Sequence, residues 1–286
     1  MDKPEILIVG INSFLGNAIY ELTRDQYSIT GVYNINKEKI PGDIDVIAVN
    51  FIPDLKGRAF KHIYLISAFI PTTNDTPTDD EMLTEVNILL PKTLSTLFPA
   101  SRIIFCSSVA VYENLTNTNN ISISNKPAPK SKYALSKLWG ESIIEAHASY
   151  AIMRISSMYG IGMKRSTFIP RIIEDAIVKG EITLSGDGKR IQNYIHVTDV
   201  ANIAVKLAHV SHNVALLAIN DQSYTNKDIA EMILEITPGQ LRFFGADDSK
   251  SYSYNSIGLS ETLGEIKFKS IKDGLKELIE WRKKEF

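Results

Sequence analysis

The chain has 286 residues, of which 44% are hydrophobic and 22% are charged, and its formal net charge is −2. These proportions are ordinary for a folded globular protein, so the composition excludes a disordered chain and a membrane protein. Acidic and basic residues are mixed along the chain, which gives no basic face for a nucleic-acid partner.

The start of the chain and its cysteine content predict a cytoplasmic protein. The first residues, Met-Asp-Lys-Pro-Glu, lack the basic-then-apolar pattern of a signal segment and lead directly into an apolar run. The apolar runs are all strand-sized, so no membrane partner is expected. Cys106 is the single cysteine, which excludes an internal disulfide and suits a reducing compartment.

The first half of the chain alternates between strand and helix patterns. Short apolar, β-branched or aromatic runs predict strands over Ile6–Val9, Ser28–Tyr33, Val46–Val49, His62–Ser67, Arg102–Cys106 and Ala151–Ile155. Helical spacing predicts helices over Phe14–Thr23, Asp80–Leu97 and Tyr133–Ala148. The polar segment Asn114–Lys130 predicts a surface loop. This alternation predicts an α/β fold, namely a Rossmann-type doubly wound parallel sheet.

The second half of the chain has a looser pattern. Helices are predicted over Arg171–Val178, Thr198–His209, Asn226–Ile236 and Lys272–Lys284, with a glycine-rich turn over Ser185–Lys189 and a late strand over Leu216–Ile219. We therefore expect a dinucleotide-binding domain over residues 1–155, with a returning segment at about 190–220. Residues 156–189 and 221–286 are expected to form a smaller C-terminal substrate-binding lobe.

The first predicted strand ends in a glycine-containing turn, Gly10-Ile11-Asn12-Ser13-Phe14-Leu15-Gly16. A glycine at the strand end permits a tight turn, and the helix behind it directs free backbone N–H groups at a pyrophosphate. Ser13 replaces the middle glycine of the usual triplet. The turn by itself therefore predicts either a dinucleotide site or a simple strand-to-helix connection without a ligand.

The end of the second predicted strand bears on the choice of cofactor. In dinucleotide-binding folds, an acidic residue about 20 positions after the glycine turn usually holds the adenosine ribose. Here Asn34 is neutral, and Lys37 and Lys39 follow it. A carboxylate would repel a 2′-phosphate, whereas an amide with nearby lysines would not, so NADP is favoured and NAD stays open. The two lysines are equally well explained as solvated loop residues.

Tyr133 and Lys137 are four residues apart, on one face of a predicted helix. A neighbouring ammonium favours the phenolate, so we expect the pKa of Tyr133 to be lowered and the side chain to serve as an acid/base. Such pairs are common on helix surfaces, but this pair follows a strand that ends in Ser107 and Ser108. Ligands bind at the carboxyl ends of parallel strands, so we expect Ser108 beside Tyr133.

The order and spacing of these motifs resemble the extended short-chain dehydrogenase/reductase family, in its nucleotide-sugar epimerase, dehydratase and reductase branch. The resemblance covers nearly the whole chain. It rests on Gly10–Gly16, Asn50-Phe51, Ser67-Ala68-Phe69, Val86-Asn87, Ser107-Ser108 with Val111-Tyr112, Tyr133 with Lys137, Arg154–Gly160, Gly186-Asp187-Gly188, His196–Val200 and Gly274-Leu275 with Trp281.

The resemblance implies roles for individual residues. Ser108, Tyr133 and Lys137 would be catalytic, with Tyr133 as the acid/base, Ser108 bonded to the same sugar oxygen and Lys137 on the nicotinamide ribose. The implied cofactor-binding residues are Gly10, Ser13, Phe14, Leu15, Gly16, Asn34, Asn50, Phe51, Ser67, Ala68, Phe69, Asn87, Ser107, Tyr133 and Lys137. The implied substrate-binding residues are Ser108, Ser157, Thr167, Arg190 and Gln192. The five histidines show no metal-ligand spacing, so no metal is expected.

Departures from the family pattern reduce the number of candidate reactions. Val109 and Ala110 follow Ser108 and cannot move a proton, whereas similar dehydratases have an Asp-Glu pair and decarboxylating relatives a Glu at this point. Gln192 stands where similar epimerases have an arginine that clamps the diphosphate, and a neutral amide cannot replace it. The favoured reaction is reduction of the 4-keto group of a nucleotide-linked 4-keto-6-deoxy sugar. A nucleotide-sugar 4-epimerase with tightly bound NAD stays open, and so does a non-catalytic dinucleotide sensor.

The resemblance also implies a homodimer, formed by the helix that carries Tyr133 and the helix around Asn87. The apolar residues of these two helices are Leu89, Leu94, Leu97, Leu135, Leu138, Trp139 and Ile143. The alternative is that all of them face their own sheet.

Overall fold

The computed structural model describes residues 3–34, 37, 39–42, 44–71 and 77–284. The chain divides into two compact units. The first unit comprises Met1–Thr116, Ile123–Ile155 and Val200–Ala218, and the second comprises Asn117–Ser122, Ser156–Asp199 and Ile219–Phe286.

The strands, in chain order, are β1 (Glu5–Val9), β2 (Ser28–Tyr33), β3 (Asp45–Ala48), β4 (His62–Leu65), β5 (Arg102–Ser108), β6 (Tyr150–Ile155), β7 (Ser157–Tyr159), β8 (Glu181–Ser185), β9 (Ile191–His196), β10 (Val214–Ala218), β11 (Ser223–Thr225) and β12 (Gln240–Phe244). In the described part of the first unit, seven strands pair in parallel in the order β10-β6-β5-β4-β1-β2-β3. The predicted Rossmann-type doubly wound parallel sheet is confirmed. Because the order reverses between β1 and β4, the carboxyl ends of these two strands mark the point where such folds bind ligands.

The α-helices, in chain order, are α1 (Phe14–Thr23), α2 (Pro77–Thr84), α3 (Leu90–Leu97), α4 (Lys132–Glu145), α5 (Phe168–Lys179), α6 (Val197–Leu207), α7 (Asn226–Ile236), α8 (Ile257–Leu263) and α9 (Ile271–Lys283). A π-helical turn, Glu85–Leu89, joins α2 to α3, so the helix predicted over Asp80–Leu97 is continuous but irregular. Two 3-10 helices, Val49–Leu55 and Val109–Tyr112, follow β3 and β5. Within the described ranges, every helix is too short or too polar to cross a membrane.

The core of the first unit explains why β1 is apolar from Ile6 to Val9. Leu7 and Val9 of β1 pack in one cluster with Leu90 and Leu94 of α3. Ile8, which points to the opposite face of the sheet, is also fully buried. Burial on both faces removes the alternation of apolar and polar residues that marks a half-exposed strand.

The second unit contains two small sheets, with strand orders β11-β9-β7 and β12-β8 in its described part. The apolar faces of α5, α7 and α9 form its core, around Ile172, Ile233 and Leu278. Because β9 pairs with β7 and β11, residues 190–199 belong to this unit. The segment that returns to the large sheet therefore begins at Val200, and not at about residue 190 as the sequence suggested.

Candidate active site

The glycine turn after β1 is packed too closely for side chains. Gly10 has a φ of +98°, and a Cβ on it would lie 3.0 Å from the Ser67 Oγ. A Cβ on Gly16 would lie 2.3 Å from the Gly10 carbonyl oxygen, so only glycine allows α1 to approach the strand end in this way. The Ser13 Oγ accepts a hydrogen bond from the Gly16 N–H at 2.9 Å and donates one to the Gly10 carbonyl at 2.8 Å. Ser13 therefore caps α1 from the position of the usual middle glycine.

The same turn fits the pyrophosphate of a dinucleotide. It lies at the carboxyl end of β1, where the strand order reverses. Phe14 and Leu15 are the first residues of α1, and the first turn of a helix offers backbone N–H groups that have no partner within the helix. Side chains at Gly10 or Gly16 would fill the cradle in front of that helix. The residues present therefore suit the cofactor that the turn predicts.

The end of β2 combines an amide with a nearby ammonium. Asn34 is exposed at this strand end. The Lys37 Nζ lies 5.2 Å from the centroid of the Tyr33 ring, which keeps the ammonium near the same strand end. The Asn17 side chain of α1 donates a hydrogen bond to the Lys39 carbonyl at 3.0 Å, so the backbone after β2 is tied to α1.

Further predicted cofactor residues follow β3 and β4. Asn50 and Phe51 are exposed in the 3-10 helix after β3. Ser67, Ala68 and Phe69 are half-buried directly after β4. Because the carboxyl ends of parallel strands share one edge, these residues lie along the same edge of the sheet as the glycine turn. Their contact with a cofactor stays a prediction.

Asn87 is fully buried, and its amide is occupied by other residues of the first unit. Its Oδ1 accepts the Phe69 N–H at 2.9 Å, and its Nδ2 donates to the Phe69 carbonyl at 3.0 Å and to the Ser136 Oγ at 2.9 Å. Gly140 allows this contact, since a Cβ there would lie 2.6 Å from the Asn87 carbonyl oxygen. Asn87 thus fixes the segment after β4 against α4, a positioning role that the sequence pattern did not indicate.

Ser108 and Tyr133 meet at the carboxyl end of β5. The Ser108 and Tyr133 hydroxyls share a hydrogen bond, and the Ser108 hydroxyl accepts the Ala110 N–H at 3.1 Å as the cap of the short 3-10 helix. Ser131 caps α4 by accepting the Ala134 N–H at 3.2 Å, which sets the start of the helix that carries Tyr133. Burial raises the pKa of Tyr133 to about 12, against the lowering effect of the Ser108 hydrogen bond. The expected lowering of this pKa is therefore wrong, because burial of the phenol outweighs its polar contacts.

Lys137 lies one turn after Tyr133 and is fully buried. Its Nζ is 4.2 Å from the centroid of the Phe105 ring, and among the described residues it has no hydrogen-bond partner. Burial lowers the pKa of Lys137 to about 8, while Cys106 and Glu141 act in the opposite direction. A buried ammonium without partners suits hydroxyl acceptors from a ligand, such as those of a ribose.

A buried polar network lies behind these residues, and the sequence analysis missed it. Ser107 donates a hydrogen bond to Glu141, and Arg154 donates to the Glu141 carboxylate at 2.7 Å and 3.0 Å. Arg154 also donates to the Tyr112 hydroxyl. Charged residues at the end of an apolar strand and one helical turn past Lys137 were the available signal, because buried charges are nearly always paired.

Ser157 and Thr167, two of the predicted substrate residues, lie in the second unit. Ser157 is exposed at the start of β7. Thr167 is exposed just before α5, and its hydroxyl donates to the Lys164 carbonyl at 2.8 Å. Both side chains are accessible, and their contact with a substrate stays a prediction.

Arg190 and Gln192 also lie in the second unit, on or next to β9. The Arg190 Nε donates to the Lys250 carbonyl at 3.4 Å. The Gln192 Nε2 donates to the Tyr194 hydroxyl at 2.8 Å and to the Asn226 Oδ1 at 2.9 Å. The Gln192 amide is thus held by neighbours of its own unit, whereas Arg190 is anchored weakly.

The fold and the glycine turn define a dinucleotide-binding α/β protein of the Rossmann type. Residues 6–215 match the sequence model of the NAD dependent epimerase/dehydratase family, and the protein is a member of that family. The resemblance to extended short-chain dehydrogenase/reductases, drawn from the motifs, is thereby confirmed.

Individual relatives are distant in sequence. A GDP-6-deoxy-D-talose 4-dehydrogenase of Aggregatibacter actinomycetemcomitans is 21% identical, over 96% of this chain and 96% of that protein. A dTDP-4-dehydro-6-deoxy-D-allose reductase of Streptomyces bikiniensis is 25% identical, over 36% of this chain and 35% of that protein. The solved UDP-glucuronic acid 4-epimerase of Bacillus cereus in complex with NAD has a TM-score of 0.82 at 18% identity, covering 98% of this chain and 99% of that one. At this identity the structural likeness shows the shared fold.

Proposed function

We propose that the protein is an NAD(P)-dependent oxidoreductase that reduces the 4-keto group of a nucleotide-linked 4-keto-6-deoxy sugar. The observation that carries the proposal is the hydrogen-bonded pair of Ser108 and Tyr133, one helical turn from the unpartnered Lys137 ammonium. The names of the two relatives support the substrate class, since both are nucleotide-linked 6-deoxy sugar enzymes that act at position 4.

The protonated form of Tyr133 suits the role of proton donor that a reduction requires. With a pKa of about 12, the phenol is protonated at neutral pH and is therefore a proton donor to the sugar oxygen. The Ser108 hydroxyl would bond the same oxygen, and the Lys137 ammonium would hold the ribose hydroxyls. The glycine turn would hold the pyrophosphate. The bound nicotinamide supplies the hydride, and the protein supplies orientation and electrostatics.

The residues after Ser108 argue against loss of water from the substrate. Val109 and Ala110 form the start of the 3-10 helix and carry no group that can move a proton. A 4-epimerase, which the likeness to the Bacillus cereus enzyme supports as the second candidate, would use Ser108, Tyr133 and Lys137 in both directions.

The deciding experiment is incubation with NADPH and a panel of nucleotide-linked 4-keto-6-deoxy sugars, followed by absorbance. A reductase consumes one NADPH for each sugar reduced. An epimerase instead interconverts the 4-hydroxy sugars without net consumption, and a sensor shows fluorescence quenching on cofactor binding but no turnover with either substrate set.

We further propose that NADP is preferred over NAD. Asn34 lacks the charge that would bond both ribose hydroxyls of NAD, a loss worth roughly 1.5–3 kcal/mol. The exposed Lys37 ammonium adds only about 0–1 kcal/mol towards the 2′-phosphate, so we expect a preference of roughly tenfold in kcat/KM. Asn34→Asp should shift the preference to NADH, as measured by kcat/KM with each cofactor.

A matched variant separates the effect of the Asn34 amide on cofactor preference from that of Lys37. Lys37→Met should weaken NADPH use by a few-fold without improving NADH use, because it removes the ammonium and restores no carboxylate. If the parent protein already prefers NADH, the interpretation of Asn34 is wrong, and the epimerase with tightly held NAD becomes the better proposal.

We also propose a homodimer formed through α4 and the π-helical turn Glu85–Leu89, which pack against each other. Leu135 and Trp139, one turn apart on α4, are 51% and 63% exposed, and Leu89 is 47% exposed. Leu94 of the predicted set is instead fully buried in its own core. A second copy of the chain presents the same apolar face and would cover these three side chains.

Trp139→Glu is expected to convert the dimer to a monomer at micromolar concentration, because it places a charge in the centre of the proposed interface. Light scattering measures the change. Phe244→Glu is the matched control, since Phe244 is 77% exposed in the second unit and should leave the dimer intact. A parent protein that is monomeric at the same concentration contradicts the proposal.

A further inference from the structure

Three side chains of α4 are spaced along one helical face. Tyr133, Lys137 and Glu141 follow one another at intervals of four residues, which places them on the same side of the helix. Lys137 and Glu141 are both buried, and that side of α4 packs against β5. The first two residues belong to the proposed active site, whereas Glu141 does not reach it.

Glu141 is the centre of a network that joins four elements. Ser107 of β5 donates a hydrogen bond to its carboxylate, and Arg154 of β6 donates to both carboxylate oxygens. Arg154 extends the network to the Tyr112 hydroxyl, in the 3-10 helix after β5. All four side chains are buried away from solvent, so their hydrogen bonds are strong and costly to break.

The network holds the chain both before and after Ser108. Ser107 precedes it directly, and Tyr112 ends the short helix that Ser108 caps. One tether on each side of Ser108 restricts its backbone, and its hydroxyl is therefore held where it bonds Tyr133. This accuracy matters because a misplaced hydrogen-bonding group loses most of its effect on the rate.

The same network places a negative charge near the Lys137 ammonium. The groups around the Lys137 ammonium are the Phe105 ring and the Cys106 thiol of β5, Tyr133 and Glu141 on its own helix, and Arg154 of β6 behind Glu141. Burial raises the pKa of Cys106 to about 12, so the thiol is neutral. Among these groups, the Glu141 carboxylate is the anion that counters the cost of burying the ammonium.

We propose that Glu141 is a positioning residue of the active site, which holds the Ser108 end of β5 through Ser107 and Arg154 and keeps the buried Lys137 ammonium charged. The proposal rests on the proposed function for its effect on turnover. Its effect on Lys137 is independent of the substrate, because cofactor binding alone reports it.

The test measures NADPH affinity and kcat against pH for Glu141→Gln. Glutamine keeps an acceptor for Ser107 but removes the charge, so the pH above which NADPH affinity falls should move down by about one unit from its position near 8. We expect kcat to fall on the order of tenfold, with little change in the KM of the sugar. Glu145→Gln, an exposed glutamate one turn further along α4, is the matched control and should leave both profiles unchanged.

Two other variants keep the proposal testable if Glu141→Gln does not fold. Glu141→Asp keeps the charge for Arg154 and Lys137 but is one methylene shorter, so it should retain the parent's pH profile and lose part of kcat. Ser107→Ala removes one tether without changing charge and should lower kcat several-fold at unchanged pH profile. The proposal is overturned if Glu141→Gln has the parent's pH profile for NADPH binding, or if Ser107→Ala has the parent's kcat. Absence of turnover in the parent would contradict the proposed function alone, since the binding profile would still decide the role of Glu141.

Discussion

Tyr133→Phe is expected to abolish turnover while leaving dinucleotide binding nearly intact. The change removes one hydroxyl, keeps the packing of the ring and deprives the sugar oxygen of its proton donor. Loss of an acid/base group typically lowers the rate by about 10²–10⁴-fold. The measurements are kcat with the 4-keto sugar and a fluorescence titration with NADPH, made on the same preparation.

Tyr150→Phe serves as the control for this substitution. Tyr150 is half-buried at the start of β6, at the opposite end of the strands from Ser108 and Tyr133. It should keep the parent's activity. A Tyr133→Phe protein that retained most of its turnover would show that the Ser108–Tyr133 pair is not the acid/base of the reaction.

The stability of the protein is expected to fall between pH 6.5 and pH 4, in part because of His62. Its ring is buried between Tyr27 and His209, and among the described residues neither ring nitrogen has a hydrogen-bond partner. Burial, together with the nearby positive charges of His209, Lys61 and Arg102, lowers the pKa of His62 to about 4. The neutral ring is therefore the form that the folded protein stabilises.

The direction of the pH effect follows from this lowered pKa. Below about pH 6.5 the unfolded chain takes up a proton at His62 that the folded chain does not, so the free energy of unfolding falls as the pH falls. The fall continues until the folded pKa of about 4 is reached. At pH 5, His62 should have lost about 2 kcal/mol of its contribution relative to pH 7.

Urea denaturation at pH 7 and pH 5 tests this expectation. His62→Phe keeps a ring between its neighbours and removes the titratable group, so the difference between the two pH values should shrink by about 2 kcal/mol. His212→Gln, at an exposed position of the same unit, should leave the difference as it is in the parent. An unchanged difference in His62→Phe would falsify the assignment.

The sequence by itself determined the large sheet and the chemistry of its edge. The bounds of α1 and β2 agree with the predicted ones, because a capping serine and a run rich in β-branched and aromatic residues act locally. The glycine turn and the pair of Tyr133 and Lys137 were also identified from the sequence alone. In both cases the residues that matter are within one or two turns of each other, and their spacing alone sets their geometry.

Only the tertiary structure decided the surroundings of these groups. Glu141 and Arg154 are 13 residues apart and Ser107 is 34 from Glu141, so their network depends on the packing of α4 against β5 and β6. The same packing buries Lys137, half-buries Tyr133 and reverses the expected shift in the pKa of Tyr133. Strands β7, β8, β9, β11 and β12 were likewise missed. Of these, β7 and β11 have only three residues each. A strand also acquires its hydrogen bonds from partners that are distant in the chain, which a local pattern does not encode.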